Sequence, residues 1–130
     1  MPKMSGVDFF EAAAKIIMAK IKQLPEKAAY HSALGIAYAG LGRKQEAIRE
    51  GKAGMDLKPV SKDAGGYYQV LVLAQIYARI GEDDEALRLL EYLMSNSRLG
   101  SSFSSLRLDP EWKPLRNHPR FQTLLRKYGS

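Results

Sequence analysis

Apolar residues recur at helical spacing in several separate stretches of this chain. In two of them, small and apolar residues three and four positions apart lead up to a glycine, Gly42 or Gly81, and an amphipathic stretch resumes directly after it. Each unit is predicted to be two antiparallel helices around a turn, with the glycine ending the first helix in a left-handed conformation. The pattern therefore predicts an all-α fold built from helical hairpins.

The two hairpins are copies of one repeat. The segments "HSALGIAYAGLGRKQEAIREG" and "VLVLAQIYARIGEDDEALRLL" align without a gap, with Leu34 opposite Leu73 and Tyr38 opposite Tyr77 at a constant offset of 39 residues. These leucines and tyrosines are expected to fill the seam between the helices of each hairpin, while small residues around them allow close approach. A repeat of this size predicts that successive hairpins stack side by side.

The first hairpin resembles the tetratricopeptide repeat, whose pattern is an aromatic residue, then Leu-Gly, Tyr, Ala and finally Pro. His31 stands at the usual aromatic position, and Pro59 follows Ala47 by twelve residues, where that family ends a repeat. The second hairpin departs further, with Val70 at the aromatic position and a spacing longer than the family's roughly 34 residues. The resemblance implies antiparallel helical hairpins stacked as a short tetratricopeptide-type solenoid with a C-terminal capping helix.

The chain is expected to form a single domain of two repeats, a half repeat and a cap. Ala13 and Pro25 have the same spacing as Ala47 and Pro59, which indicates the second helix of a repeat whose first helix lies upstream of Met1. The opening "MPKMSGVDFF" also resembles the stretch that follows the phosphoacceptor aspartate of response-regulator receiver domains, but that aspartate is missing. The predicted boundaries within residues 1–130 are 8–24 for the half repeat, 28–59 for repeat 1, 66–97 for repeat 2 and 98–130 for the cap.

The last stretch of the chain, which includes "LRLDPEWKPLRNHPRF", is predicted to close the stack. Trp112 and Leu115 are expected to anchor a turn, and Asn117-His118-Pro119 combines capping residues with a helix-starting proline. The helix that follows carries its apolar residues at i, i+3, i+4 and i+7, and Phe103, Leu106 and Leu108 offer further side chains for burial. The predicted buried face of that closing helix consists of Phe121, Leu124, Leu125 and Tyr128.

From Leu108 to Leu125 the tail is similar to the endings that follow tetratricopeptide arrays in bacterial signalling proteins. Those arrays are fused to serine/threonine kinases or adenylate cyclases, although this chain has no kinase or cyclase motif. The similarity implies a bacterial regulatory or scaffold role. The similarity favours a structural role for the tail over a catalytic one.

The positive net charge suggests nucleic-acid binding as a second functional class. A net charge of +6 and a pI of about 9.6 are compatible with binding to nucleic acid, because lysine and arginine release counterions from phosphate backbones. No basic cluster is interleaved with aromatic residues, as a stacking platform requires. A nucleic-acid-associated module is therefore the alternative. The absence of cysteine and of any apolar run near 20 residues favours a cytoplasmic protein with no membrane contact.

No catalytic residue, metal site or cofactor is predicted. His31 and His118 lack the paired spacing of a zinc site, and the carboxylates of "GEDDE" suit the start of a helix better than a calcium loop. The serine-rich segment before the tail has no nucleophile elbow. The sequence thus predicts a non-enzymatic adaptor or scaffold.

In tetratricopeptide stacks the first helices line a concave groove that takes an extended segment or a helix of a partner protein. The resemblance assigns groove positions to both first helices, with Gln75 and Arg79 as the main polar groups. The predicted protein-binding residues are Ser32, Ile36, Ala39, Tyr68, Leu71, Gln75 and Arg79.

The helix of residues 8–24 is expected to lack the partner that would cover its apolar side. Large exposed apolar patches usually mark an interaction site, so a homodimer around a two-fold axis is predicted. The predicted self-association residues are Phe9, Phe10, Ala13, Ile17 and Ile21.

Overall fold

The computed structural model describes residues 5–60, 66–95 and 110–128. These ranges contain six α-helices and a 3-10 helix, and no strand, so the described part of the chain is all-helical as predicted. The α-helices are α1 (Gly6–Gln23), α2 (Ala28–Gly40), α3 (Lys44–Leu57), α4 (Gly66–Arg79), α5 (Asp83–Met94) and α6 (Pro119–Tyr128), and the 3-10 helix spans Pro110–Leu115.

A capping box starts α1. The Ser5 hydroxyl accepts a hydrogen bond from the Asp8 N–H at 3.0 Å, and the Asp8 carboxylate accepts one from the Ser5 N–H at 3.4 Å. These bonds satisfy two backbone donors that have no partner within a helix. The helix therefore begins at Gly6, two residues before the predicted half repeat.

Two glycines end α2 and α4 in the predicted left-handed conformation. Gly42 has a φ of 76° and Gly81 a φ of 85°. The next residue in each turn donates its N–H back to a tyrosine carbonyl, Tyr38 in the first hairpin and Tyr77 in the second, both at 2.9 Å. The two tyrosines that align in the sequence thus occupy the same place in two turns of the same geometry.

The first hairpin is packed closely at Gly35. A Cβ atom at this position would lie 3.0 Å from the Ala47 carbonyl oxygen and 3.2 Å from the Gly51 nitrogen, both on the backbone of α3. It would also lie 2.7 Å from Cδ1 of Ile76, which reaches in from α4. Because glycine leaves this space open, α2 and α3 approach closely and α4 packs against both.

The described part of the tail packs against the helices before it. Trp112, Leu115 and Phe121 are completely buried, and Leu124 is nearly so. The 3-10 helix lies against α4, and α6 lies against α5. Burial of this much apolar surface stabilises the docking of two short elements. The predicted roles of Phe103, Leu106 and Leu108 fall outside the described residues.

The side chain that caps α6 belongs to His118. Its Nδ1 accepts a hydrogen bond from the Arg120 N–H at 3.2 Å, and Pro119 is the first helical residue. A proline at this place suits a helix start because its missing N–H has no partner there anyway.

Candidate protein-binding surface

One edge of α4 presents a row of accessible side chains. Tyr68, Leu71, Gln75 and Arg79 follow one another at steps of three and four, which places them on one face of the helix. Tyr68 is 59% exposed and Arg79 is also exposed, while Leu71 and Gln75 are half-buried. We call these four residues the α4 row. The intervening residues Val72 and Ile76 are buried, so the row lies on a firmly packed helix.

On α2 the structure leaves less accessible surface than predicted. Ile36 is half-buried, but Ser32 is 2% exposed and Ala39 is 8% exposed. Ser32 donates its hydroxyl hydrogen bond to the Gln69 side-chain oxygen on α4, and Ala39 belongs to the hydrophobic core. Neither side chain is therefore accessible to a ligand, contrary to the predicted groove.

Gln69 is a buried polar residue on α4 that the sequence pattern did not predict. A glutamine beside two tyrosines gives the impression of a solvent-facing position, yet Gln69 is 3% exposed. Buried amides are normally hydrogen-bonded, and Ser32 satisfies this one. The only sequence signal is the helical phase, since Gln69 precedes the buried Ile76 by seven residues and so shares its face.

The predicted self-association residues divide into two groups. Phe9 is 59% exposed, but Phe10, Ala13, Ile17 and Ile21 are partly buried against the core. The Phe10 ring packs against Gly40 on α2. It also lies edge-on to the Phe9 ring, with the two ring centroids 5.5 Å apart. Four of the five residues thus already have a partner within the chain.

Other apolar side chains of α1 face outward. Ile16 is 60% exposed and Val7 is 53% exposed, on opposite edges of the helix. Met18 shares the edge of Val7, and its sulfur accepts a hydrogen bond from the Tyr38 hydroxyl at 3.6 Å. The exposed apolar surface of α1 on the other edge is therefore made by Phe9 and Ile16, with alanines between them.

Several surface arginines are already paired. Arg43 binds Glu46 through two hydrogen bonds of 2.7 and 2.5 Å, and this hydrogen bonding raises the pKa of Arg43. Arg88 contacts Glu85 at 2.7 Å, in another helical pair. Arg79 in the α4 row, by contrast, has no carboxylate partner among the described residues. Its guanidinium is the cation best placed to meet a ligand on this face.

His31 forms contacts that join neighbouring elements of the fold. The His31 ring places Nε2 2.7 Å from the Pro25 carbonyl oxygen and Nδ1 3.5 Å from the Glu50 carboxylate, so it ties α2 to the preceding turn and to α3. No group of three or more potential ligands that could hold a metal occurs among residues 5–60, 66–95 and 110–128. His31 thus packs between α2, α3 and the turn before α2.

An aromatic pair joins α4 and α5. The Tyr67 and Tyr92 rings are stacked, with centroids 6.3 Å apart and planes 25° from parallel. Burial raises the pKa of Tyr92, and the neighbouring Tyr67 raises it further. The pair is next to the start of the α4 row.

No known family model, curated protein or solved structure matches the chain. Within the described ranges, no helix combines the length and the apolar character needed to cross a membrane.

Proposed function

We propose that this chain is a non-enzymatic interaction module of the tetratricopeptide type, an adaptor or scaffold that binds a segment of a partner protein along the α4 row. The exposed Tyr68 is the observation that carries the proposal. An accessible tyrosine on a rigid helix, in line with an arginine, has the composition typical of binding hot spots. Both side chains are exposed on the surface of α4.

The dimensions of the row suggest the kind of ligand. Tyr68 and Arg79 are separated by 11 residues of helix, or about 16 Å at 1.5 Å per residue. An extended segment of about five residues covers that length. Leu71 and Tyr68 suit an apolar side chain, and Arg79 suits a carboxylate that it can bind through two hydrogen bonds. The ligand is therefore an extended peptide with an apolar residue near one end and an acidic group near the other.

Two features of the sequence support a bacterial origin and a cytoplasmic location for this module. The tail from Leu108 to Leu125 resembles the endings of bacterial signalling arrays, which favours a bacterial regulatory scaffold. A chain without cysteine suits a reducing compartment, so we place the module in the cytoplasm. Both assignments are parts of the proposal.

Affinity capture with the whole chain as bait tests the proposal. We expect a protein that is retained by the original chain and by Arg49→Ala, an exposed α3 control, but lost with Tyr68→Ala or Arg79→Ala. For a hot-spot arginine the binding constant should fall about tenfold or more. Equal retention by all variants, with unchanged helical circular dichroism, would contradict binding at the α4 row.

Nucleic acid is the alternative ligand, favoured only by the net charge of +6. Pairing of Arg43, Arg88 and Arg120 with carboxylates reduces the cationic surface available to phosphates. A short labelled DNA duplex and its single strand, titrated with the chain at low and moderate salt, distinguish the two classes. Tight binding that collapses as salt rises would favour nucleic acid.

A further inference from the structure

The exposed edge of α1 corresponds to a covered face elsewhere in the same chain. α1 and α3 are equivalent helices at an offset of 34 residues, as Ala13 and Ala47 show. On α3 this face is covered by α2. Ala47 of α3 is completely buried there, and Glu50 of α3 contacts His31 of α2. The α1 equivalent of Glu50 is Ile16, which is 60% exposed. This edge of α1 therefore corresponds to a face that binds another helix in α3. It carries the apolar Ile16 where α3 carries the charged Glu50.

The edge is complementary to itself. Phe9, Ala12, Ala13 and Ile16 follow at i, i+3, i+4 and i+7, so they form one strip. A second α1 running antiparallel, with a two-fold axis between Ala12 and Ala13, brings Phe9 opposite Ile16 of the partner subunit. The alanines meet at the crossing, where small side chains allow two helices to approach closely.

The charges beside the strip favour the antiparallel direction. Asp8 lies in the first half of α1 and Lys15 in its second half, on the same side of the strip. With the axis between Ala12 and Ala13, Lys15 of each helix lies opposite residue 10 of the other, two residues from Asp8. A parallel pair in register would place Asp8 beside Asp8 and Lys15 beside Lys15, which is unfavourable.

We propose that two copies of this chain associate through antiparallel α1 helices, in contact along Phe9, Ala12, Ala13 and Ile16. This interface keeps Phe9 and the partly buried Ala13 of the predicted set, and it exchanges Phe10, Ile17 and Ile21, which pack within the chain, for Ala12 and Ile16. It lies on a different helix from the α4 row. Dimerisation and partner binding can therefore succeed or fail independently.

The first test is the molecular mass in solution. Sedimentation at micromolar concentrations should give twice the chain mass of 14.5 kDa. Ile16→Glu should weaken the dimer at least about tenfold, because it places two carboxylates in the apolar contact. Val7→Glu is the matched control, since Val7 is also exposed but lies on the other edge. A chain that stays monomeric, or a dimer that survives Ile16→Glu, would overturn the proposal.

The second test uses a small substitution that keeps the interface apolar. The sequence has no cysteine, so Ala12→Cys introduces a single thiol near the proposed axis. Mild oxidation should convert most of that chain to a disulfide-linked dimer, because a disulfide requires its two Cα atoms within about 7 Å. Ala29→Cys, an exposed position on α2, should cross-link far less. Equal cross-linking at both positions would indicate random collision and contradict the antiparallel pair.

Discussion

The hydroxyl of Ser32 on α2 donates a hydrogen bond to the side-chain oxygen of Gln69 on α4, and both side chains are buried. They are the two polar residues of the described core. A buried amide without a partner would be costly, so this bond accounts for a glutamine in an otherwise apolar contact. It also joins the second hairpin to the first.

Removing the hydroxyl should destabilise the protein more than its size suggests. Ser32→Ala leaves the Gln69 amide oxygen buried without this donor, and we expect a loss of about 1–3 kcal/mol in the free energy of unfolding. Urea titration followed by circular dichroism measures this loss. The double variant Ser32→Ala/Gln69→Leu, which removes both polar partners, should be more stable than Ser32→Ala alone. If the two variants are equally stable, the hydrogen bond does not contribute as proposed.

Gly35→Ala tests the close packing of α2 on α3. Alanine is favoured over glycine in a helix by about 1 kcal/mol, but overpacking costs about 1–3 kcal/mol. Because two of the atoms nearest the new methyl group belong to the backbone of α3, we expect net destabilisation. Gly6→Ala is the control, since its methyl group would meet nothing within 4 Å. Thermal melting should show Gly35→Ala below the original protein and Gly6→Ala at or above it.

The turn at Gly42 isolates the effect of backbone conformation. A Cβ there would meet nothing within 4 Å, so the φ of 76° alone penalises other residues. We expect Gly42→Ala to cost about 1–2 kcal/mol. Asparagine tolerates this region better, so Gly42→Asn should cost less. Chemical denaturation of both variants measures the difference, and equal losses would contradict a conformational origin.

Trp112 is predicted to hold the cap in place. Trp112→Ala removes a completely buried indole and should reduce stability by about 3–5 kcal/mol. The neighbouring Lys113 is exposed, so Lys113→Ala should leave the urea midpoint nearly unchanged. A small effect of Trp112→Ala would mean that the cap adds little to the stability of the helices before it.

Local features of this fold were readable from the sequence. Gly42 and Gly81 end their helices as predicted because only glycine adopts a left-handed conformation without strain. Trp112 and Phe121 are buried as predicted, since large apolar residues beside helix-starting prolines have few other stable environments. Helical periodicity likewise predicted each described α-helix, because the apolar face of a helix repeats along the chain.

The candidate surfaces depended on contacts between distant residues. The resemblance assigns Ser32 and Ala39 to an open groove, but both residues are buried, and Ser32 pairs with a residue 37 positions away. On α1, periodicity identified the apolar positions without deciding which of them α2 would cover: Phe10 packs on Gly40, whereas Ile16 remains exposed. The sequence determined where helices form and turn, because those choices depend on near neighbours. Only the tertiary structure decided which faces stay open, because burial depends on the helices that pack against each face.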